Sequence, residues 1–222
     1  MITREEFLER FNKILSECDL TYIRCICLAG SYSLPFIENP HDIDIHCFVK
    51  KEWAGKFREP VLPIRLKARE EIGDFVSVVP HWEDEYTGEN AVRLFSDITD
   101  FVHQRCSLRT YVYEFIPEYC PSIYGDAQEV LGGIDILGKD KEDYLKNLKW
   151  ELTSQSFLKQ MEKTNRTRRL YHVLCGIYFI ENNSYELTEE QKKNVNIAHD
   201  KTDGWEGLYE WAKEEIERLC SE

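Results

Sequence analysis

Asp42 and Asp44 stand one residue apart at the head of an apolar run, Ile43 to Val49. Side chains alternate faces along a strand, so the two carboxylates point the same way, about 6–7 Å apart at ~3.3 Å rise per residue. Two like charges on one face repel unless a cation sits between them, and a hard divalent ion is the usual solution. Upstream, Gly30-Ser31 supplies complementary chemistry. Glycine permits a sharp turn and close approach to a ligand, while Ser31 offers a hydroxyl and a backbone N–H at an expected helix start. Phosphate on one side and Mg²⁺ or Mn²⁺ on the other is what nucleoside triphosphate chemistry needs.

The elements that must position these groups are legible around them. Tyr22 to Leu28 reads as an apolar strand and Ile43 to Val49 as a second. Pro35, Asn39 and Pro40 break the passage between them into short helix plus loop. The order is thus an apolar strand ending in Gly-Ser, ten residues, then Asp-Ile-Asp opening a second strand. This pattern resembles the signature of the DNA polymerase beta-like nucleotidyltransferase superfamily. It covers residues 20–50 closely and residues 50–135 by order of elements.

The resemblance implies an Asp42–Asp44 metal site for Mg²⁺ or Mn²⁺, with Gly30 and Ser31 against the phosphates. It also implies a third carboxylate on the neighbouring strand. The β-branched run ending at Pro80 begins with Asp74, which is the candidate, with Glu83 and Glu114 as fallbacks. The competing reading leaves Asp74 a solvated residue at the strand start. His81 to Gly88 reads as a polar aromatic loop; His81 near the carboxylates invites a catalytic reading, against a plainly solvated loop histidine.

Composition narrows the partners. The chain has 222 residues and a formal charge of −13, so a phosphate backbone is repelled and long nucleic acid is disfavoured. No apolar stretch nears the ~20 residues of a membrane span, no secretory segment opens the chain, and a cytoplasmic protein is expected. The eight cysteines are scattered without a Cys-x-x-Cys pair and read as small buried hydrophobes.

Helical periodicity dominates the rest. Residues 3–17 form an amphipathic helix, with Thr3 and Glu6 as a capping box. Further helices are expected at 64–72, ended by Gly73, and over 90–116, with a short strand at 122–126. From Lys141 onward helices run at 141–164, 165–182, from Thr188, and from Trp205 to Leu219. The predicted fold is α/β (α+β): a small mixed-sheet nucleotidyltransferase domain, residues 1–137, and a helical substrate-binding domain, residues 138–222.

Lys163, Arg166, Arg168 and Arg169 form the basic concentration of an acidic chain. Arg166 and Arg169 share a helix face and, with Lys163, are candidates for holding triphosphate or acceptor. The alternative is a solvated helix end balanced by Glu151 and Glu162. Arg166 and His172 fit a loose ribonuclease spacing, and His199-Asp200 a phosphohydrolase doublet; both patterns are short enough to arise by chance.

The expected function is ATP-type nucleotide binding and metal-dependent transfer of a nucleoside monophosphate to a small-molecule or protein hydroxyl. A catalytically inactive nucleotide-binding or antitoxin-like module is the alternative.

Overall fold

The computed structural model describes residues 2–56, 58–84, 112–132, 134–153 and 168–221, with the backbone alone at 168 and 169. Among these residues the chain forms a four-stranded mixed sheet and seven α-helices. Two compact units divide it. One draws its described residues from Met1–Pro35, Pro40–Ala91 and Glu114–Gly133, the other from Phe36–Asn39, Val92–Tyr113 and Ile134–Glu222. The chain changes unit at 133–134, and Phe36–Asn39 is counted with the helices.

The first unit holds the sheet. Strand β1 (Ile23–Ala29) pairs antiparallel with β2 (Ile43–Val49), and β2 pairs parallel with β3 (Val76–Trp82). The short β4 (Ser122–Tyr124) lies on the other side of β1, giving the order β3-β2-β1-β4. The parallel pair needs a long crossover, which carries α2 (Leu62–Glu71).

One sheet face packs against α1 (Arg4–Ser16) and α2. Phe7, Phe11 and Ile14 of α1 and Ile64 and Ala68 of α2 join Ile26, Leu28, Ile43, Ile45, Val76 and Val78 in one buried cluster. Burial of each large apolar side chain contributes about 1.5–3 kcal/mol. Thr3 caps α1 as expected, its Oγ1 accepting from Glu6 N at 3.2 Å. The Glu6 carboxylate turns instead to Arg10, 2.5 Å away, one helical turn on.

The opposite face carries Cys25, Cys27 and Ala29 of β1, paired respectively with Phe48, His46 and Asp44 of β2. Residues 115–121 lie against this face. The Phe115 ring meets His46 edge-on, and Leu28 N donates to Pro121 O at 3.1 Å.

Two expectations are corrected here. The third strand runs 76–82 rather than 74–80, so Pro80 is inside it. Edge strands tolerate proline, and among the described residues β3 is an edge. The passage after Gly30 contains turns and no helix among residues 31–41. Of the helix expected over 90–116, residues 90–111 lie outside the described residues, and Val112–Phe115 form a 3₁₀ turn.

A short α3 (Gln128–Leu131) completes the first unit. The second is helical: α4 (Lys141–Thr153), α5 (Arg168–Asn182), α6 (Glu189–Asp200) and α7 (Trp205–Leu219). Its core includes Tyr144, Leu148, Val173, Leu174, Ile177 and Ile216. Thr188 and Gln191 form the expected capping box, each side chain bonding the other's backbone N–H. Helix α6 also fixes Phe36–Asn39: Asn196 Nδ2 donates to Phe36 O (2.6 Å) and Asn196 Oδ1 accepts from Glu38 N (2.9 Å).

Candidate functional site

The antiparallel β1–β2 register ends at Ala29 opposite Asp44. Gly30 is therefore the residue that turns away directly beside the Asp44 carboxylate. Its φ of +70° lies in the left-handed region, where glycine is favoured. A Cβ built on Gly30 would sit 2.6 Å from Asp44 Oδ2. No other residue type fits this approach without moving the carboxylate. Asp42 immediately precedes β2, and both acids are half-buried.

The Gly-Ser turn is ordered by its own backbone. Ser33 N and Ser33 Oγ both donate to Gly30 O, at 3.0 and 2.8 Å, and Leu34 N donates to Ser31 O at 3.3 Å. Ser31 and Ser33 are buried. The anion-binding N–H groups expected of a helix start at Ser31 are thus those of a turn. Gly30, Ser31 and Asp44 are brought together, with Asp42 next to them in the chain.

Asp74 is not brought into register with them. It is exposed, on the turn two residues ahead of β3, and does not open the strand as Asp42 opens β2. The parallel pairing sets Ser77, not an acid, beside Asp44. Of the fallbacks, Glu83 follows the far end of β3, where its Oε1 accepts from Lys51 N at 2.8 Å. Six residues beyond Ser77, it is about 20 Å along the strand from the Asp44 level. Glu114 is buried and precedes Phe115, the ring on His46. Lys163 and Arg166 lie outside the described residues. Arg169 belongs to the first turn of α5, and its side chain lies outside the description.

The sequence reading missed a histidine pair on the Asp44 face. His46 Nδ1 lies 2.6 Å from His81 Nε2, and the rings stack at 4.7 Å with planes 9° apart. Phe48 stacks on His81 from the other side at 5.2 Å. Burial, and secondarily the neighbouring His81, pushes His46 down to about 3, so its ring is neutral near pH 7. One ring of the pair donates and the other accepts. The signal lay in the register: Phe48 and His81 are paired positions once β3 extends through Trp82. A solvated His81 is overturned, since it is 8% exposed.

His172, of the loose ribonuclease spacing, packs against the rings of Tyr113 and Tyr171. Its Nδ1 lies 2.9 Å from the Tyr113 hydroxyl. His199 Nδ1 is 2.7 Å from Asp200 Oδ1 within its own doublet.

Comparison with protein-family models, curated proteins and solved structures gives no match. The chemistry of the site is carried by its own residues. Cys25 of β1 and Cys47 of β2 are structural: burial raises Cys25 to about 12 and raises Cys47 further, so neither thiol is a ready nucleophile. Among the described residues no helix is long and apolar enough to cross a membrane.

Proposed function

We propose that the first unit is a nucleotidyltransferase module that binds a nucleoside triphosphate with a divalent cation and transfers its nucleoside monophosphate to a hydroxyl acceptor. The observation that carries this reading is the close seating of Gly30 against Asp44. It supports one site made from the Gly-Ser turn and the Asp42–Asp44 pair, the two halves that triphosphate chemistry requires.

The donor set suits Mg²⁺ or Mn²⁺, hard ions that take carboxylate oxygens and keep part of their water shell. Asp42 and Asp44 would hold it. When bound, such an ion neutralises phosphate charge and polarises the phosphoryl oxygens. The chain's own contribution is positioning. Turn N–H groups near Ser31 and the Ser31 hydroxyl bind phosphate oxygens, and the absent Cβ of Gly30 lets the phosphates approach the backbone. The apolar sheet beneath holds both carboxylates where the turn ends. The acceptor hydroxyl gives its proton to solvent, its oxygen bonds to the α-phosphorus as the α–β bridging bond breaks, and pyrophosphate departs. An acceptor that is a small molecule or a protein hydroxyl suits a chain of charge −13 better than long nucleic acid.

One observation favours the second reading, a nucleotide-binding module without transfer. The position paired with Asp44 on β3 is Ser77, and Asp74 is exposed outside the strand. Incubation with α-³²P-labelled nucleoside triphosphates, with pyrophosphate measured in parallel, separates the two. Transfer by the wild type that is abolished in a folded Asp44→Asn variant supports catalysis. Nucleotide binding without pyrophosphate release supports the second reading, and a rate unchanged by Asp44→Asn contradicts the proposed site.

A further inference from the structure

A cleft of about 790 Å³ opens along β3, between the strand and the chain leading into α2. It is lined by β3 from Ser77 to Pro80 and Trp82, and by Val61, Leu62 and Arg65 of the crossover. Two features give it chemical character.

The first is backbone polarity. Among the described residues β3 is an edge strand. Ile43 N donates to Phe75 O (3.0 Å) and Glu83 N donates to Val49 O (2.9 Å), which fixes the phase of the parallel ladder. Odd-numbered residues of β3 bond β2, and even-numbered ones turn their backbone groups outward. The Val78 N–H and the Val78 and Pro80 carbonyls accordingly face the open edge. Pro80 sits at an outward position, where its missing N–H removes nothing from the ladder. Such an edge is a template for another strand.

The second is charge. Lys56, Arg58 and Arg65 line the cleft against one acid, Glu59, in a chain of net charge −13. Neither Lys56 nor Arg65 forms an ion pair with another described residue. Beside them α2 exposes Leu62 and Leu66, one helical turn apart and 51% and 58% accessible. The cations select an anionic partner, and the leucines give it an apolar contact.

We propose that this edge docks an extended acidic segment of a partner protein, added as a strand to β3, with its carboxylates toward Lys56, Arg58 and Arg65. Main-chain bonds to Val78 and Pro80 supply affinity and the flanking side chains supply selectivity.

Fluorescence anisotropy with a labelled synthetic peptide of about eight alternating valine and glutamate residues tests this on the full chain. Two further peptides carry N-methyl groups at alternate residues, one at the odd positions and one at the even. Strand addition uses the N–H groups of only one set, so one methylated peptide binds at least ~tenfold more weakly and the other binds like the parent. The double variant Arg58→Glu/Arg65→Glu, its fold checked by circular dichroism, weakens the parent peptide by at least ~tenfold. A valine–lysine peptide does not bind. Absence of binding to the wild type overturns the proposal. So do equal effects of the two methylation patterns, indifference to charge reversal, or displacement by inorganic phosphate alone, which would mark a small-anion pocket.

Discussion

Replacing Gly30 by alanine separates the local cost of the turn from the function of the site. The residue sits at φ +70°, where a side chain costs about 1–2 kcal/mol, and its new Cβ would meet Asp44 Oδ2 at 2.6 Å. Rotation of the carboxylate relieves the oxygen contact, and Asp44 Cβ, 3.2 Å away, must give by a few tenths of an ångström, so Asp44 is displaced either way. The expected stability loss is therefore about 1–2 kcal/mol, or about 2–4 °C in Tm per kcal/mol for a chain of this size. Gly125→Ala is the matched control. Gly125 also has positive φ (64°), and its Cβ would lie 2.4 Å from Arg24 O. That oxygen is backbone at the other end of β1, five residues or about 16 Å from Ala29. Both variants should melt lower in differential scanning calorimetry. Only Gly30→Ala should weaken Mg²⁺-dependent triphosphate binding, by at least ~tenfold, because only it displaces Asp44. Equal binding by Gly30→Ala and the wild type, or equal loss in both variants, would refute the argument that the glycine exists to admit the carboxylate.

Asn196→Ala removes two donor bonds and one acceptor bond, including those that hold Phe36 and Glu38, and should lower stability by about 1–3 kcal/mol in urea denaturation. Amide exchange at Glu38 should rise with it. Glu181 gives a pH signature. Desolvation, then the hydrogen bond and charge of Glu215, raises its carboxyl to about 7, with Arg218 opposing. The folded state holds this proton more tightly than the unfolded chain does, so the contribution is present below about pH 4.5 and lost as pH rises through about 7. Protection factors of amides in α5 and α7, corrected for the intrinsic pH dependence of exchange, should therefore fall between those values in the wild type and change less in Glu181→Gln, the neutral mimic. Glu215, lowered chiefly by its hydrogen bond to Arg218, acts oppositely, losing its contribution only as pH falls below 4.5.

Local patterns in this chain were legible where a single element decides them. The amphipathic spacing of Phe7, Phe11 and Ile14 located α1, and Thr188 with Gln191 located the start of α6, since caps and periodicity are properties of adjacent residues. The Gly-Ser and Asp-x-Asp strands were legible for the same reason. What the sequence could not carry was register. Pro80 looked like a strand end because its outward placement depends on β3 being an edge, a fact of sheet order. That displacement of two residues put Ser77 beside Asp44, left Asp74 outside the strand, and joined His46 to His81. A side-chain partner across two strands is set by pairing, and pairing in a parallel ladder depends on a crossover of more than twenty residues. The assignment of Phe36–Asn39 to the helical unit rests likewise on Asn196, some 160 residues away in sequence.

The central claim is that Gly30, Ser31, Asp42 and Asp44 form one metal-dependent triphosphate site. Isothermal titration of ATP and the other nucleoside triphosphates into the wild type and an Asp42→Ala/Asp44→Ala variant, each with Mg²⁺ and with EDTA, tests it most directly. Binding to the wild type that needs Mg²⁺ and disappears in the folded variant is the predicted result. Binding indifferent to the metal or to both acids, or no binding of any triphosphate, would contradict it.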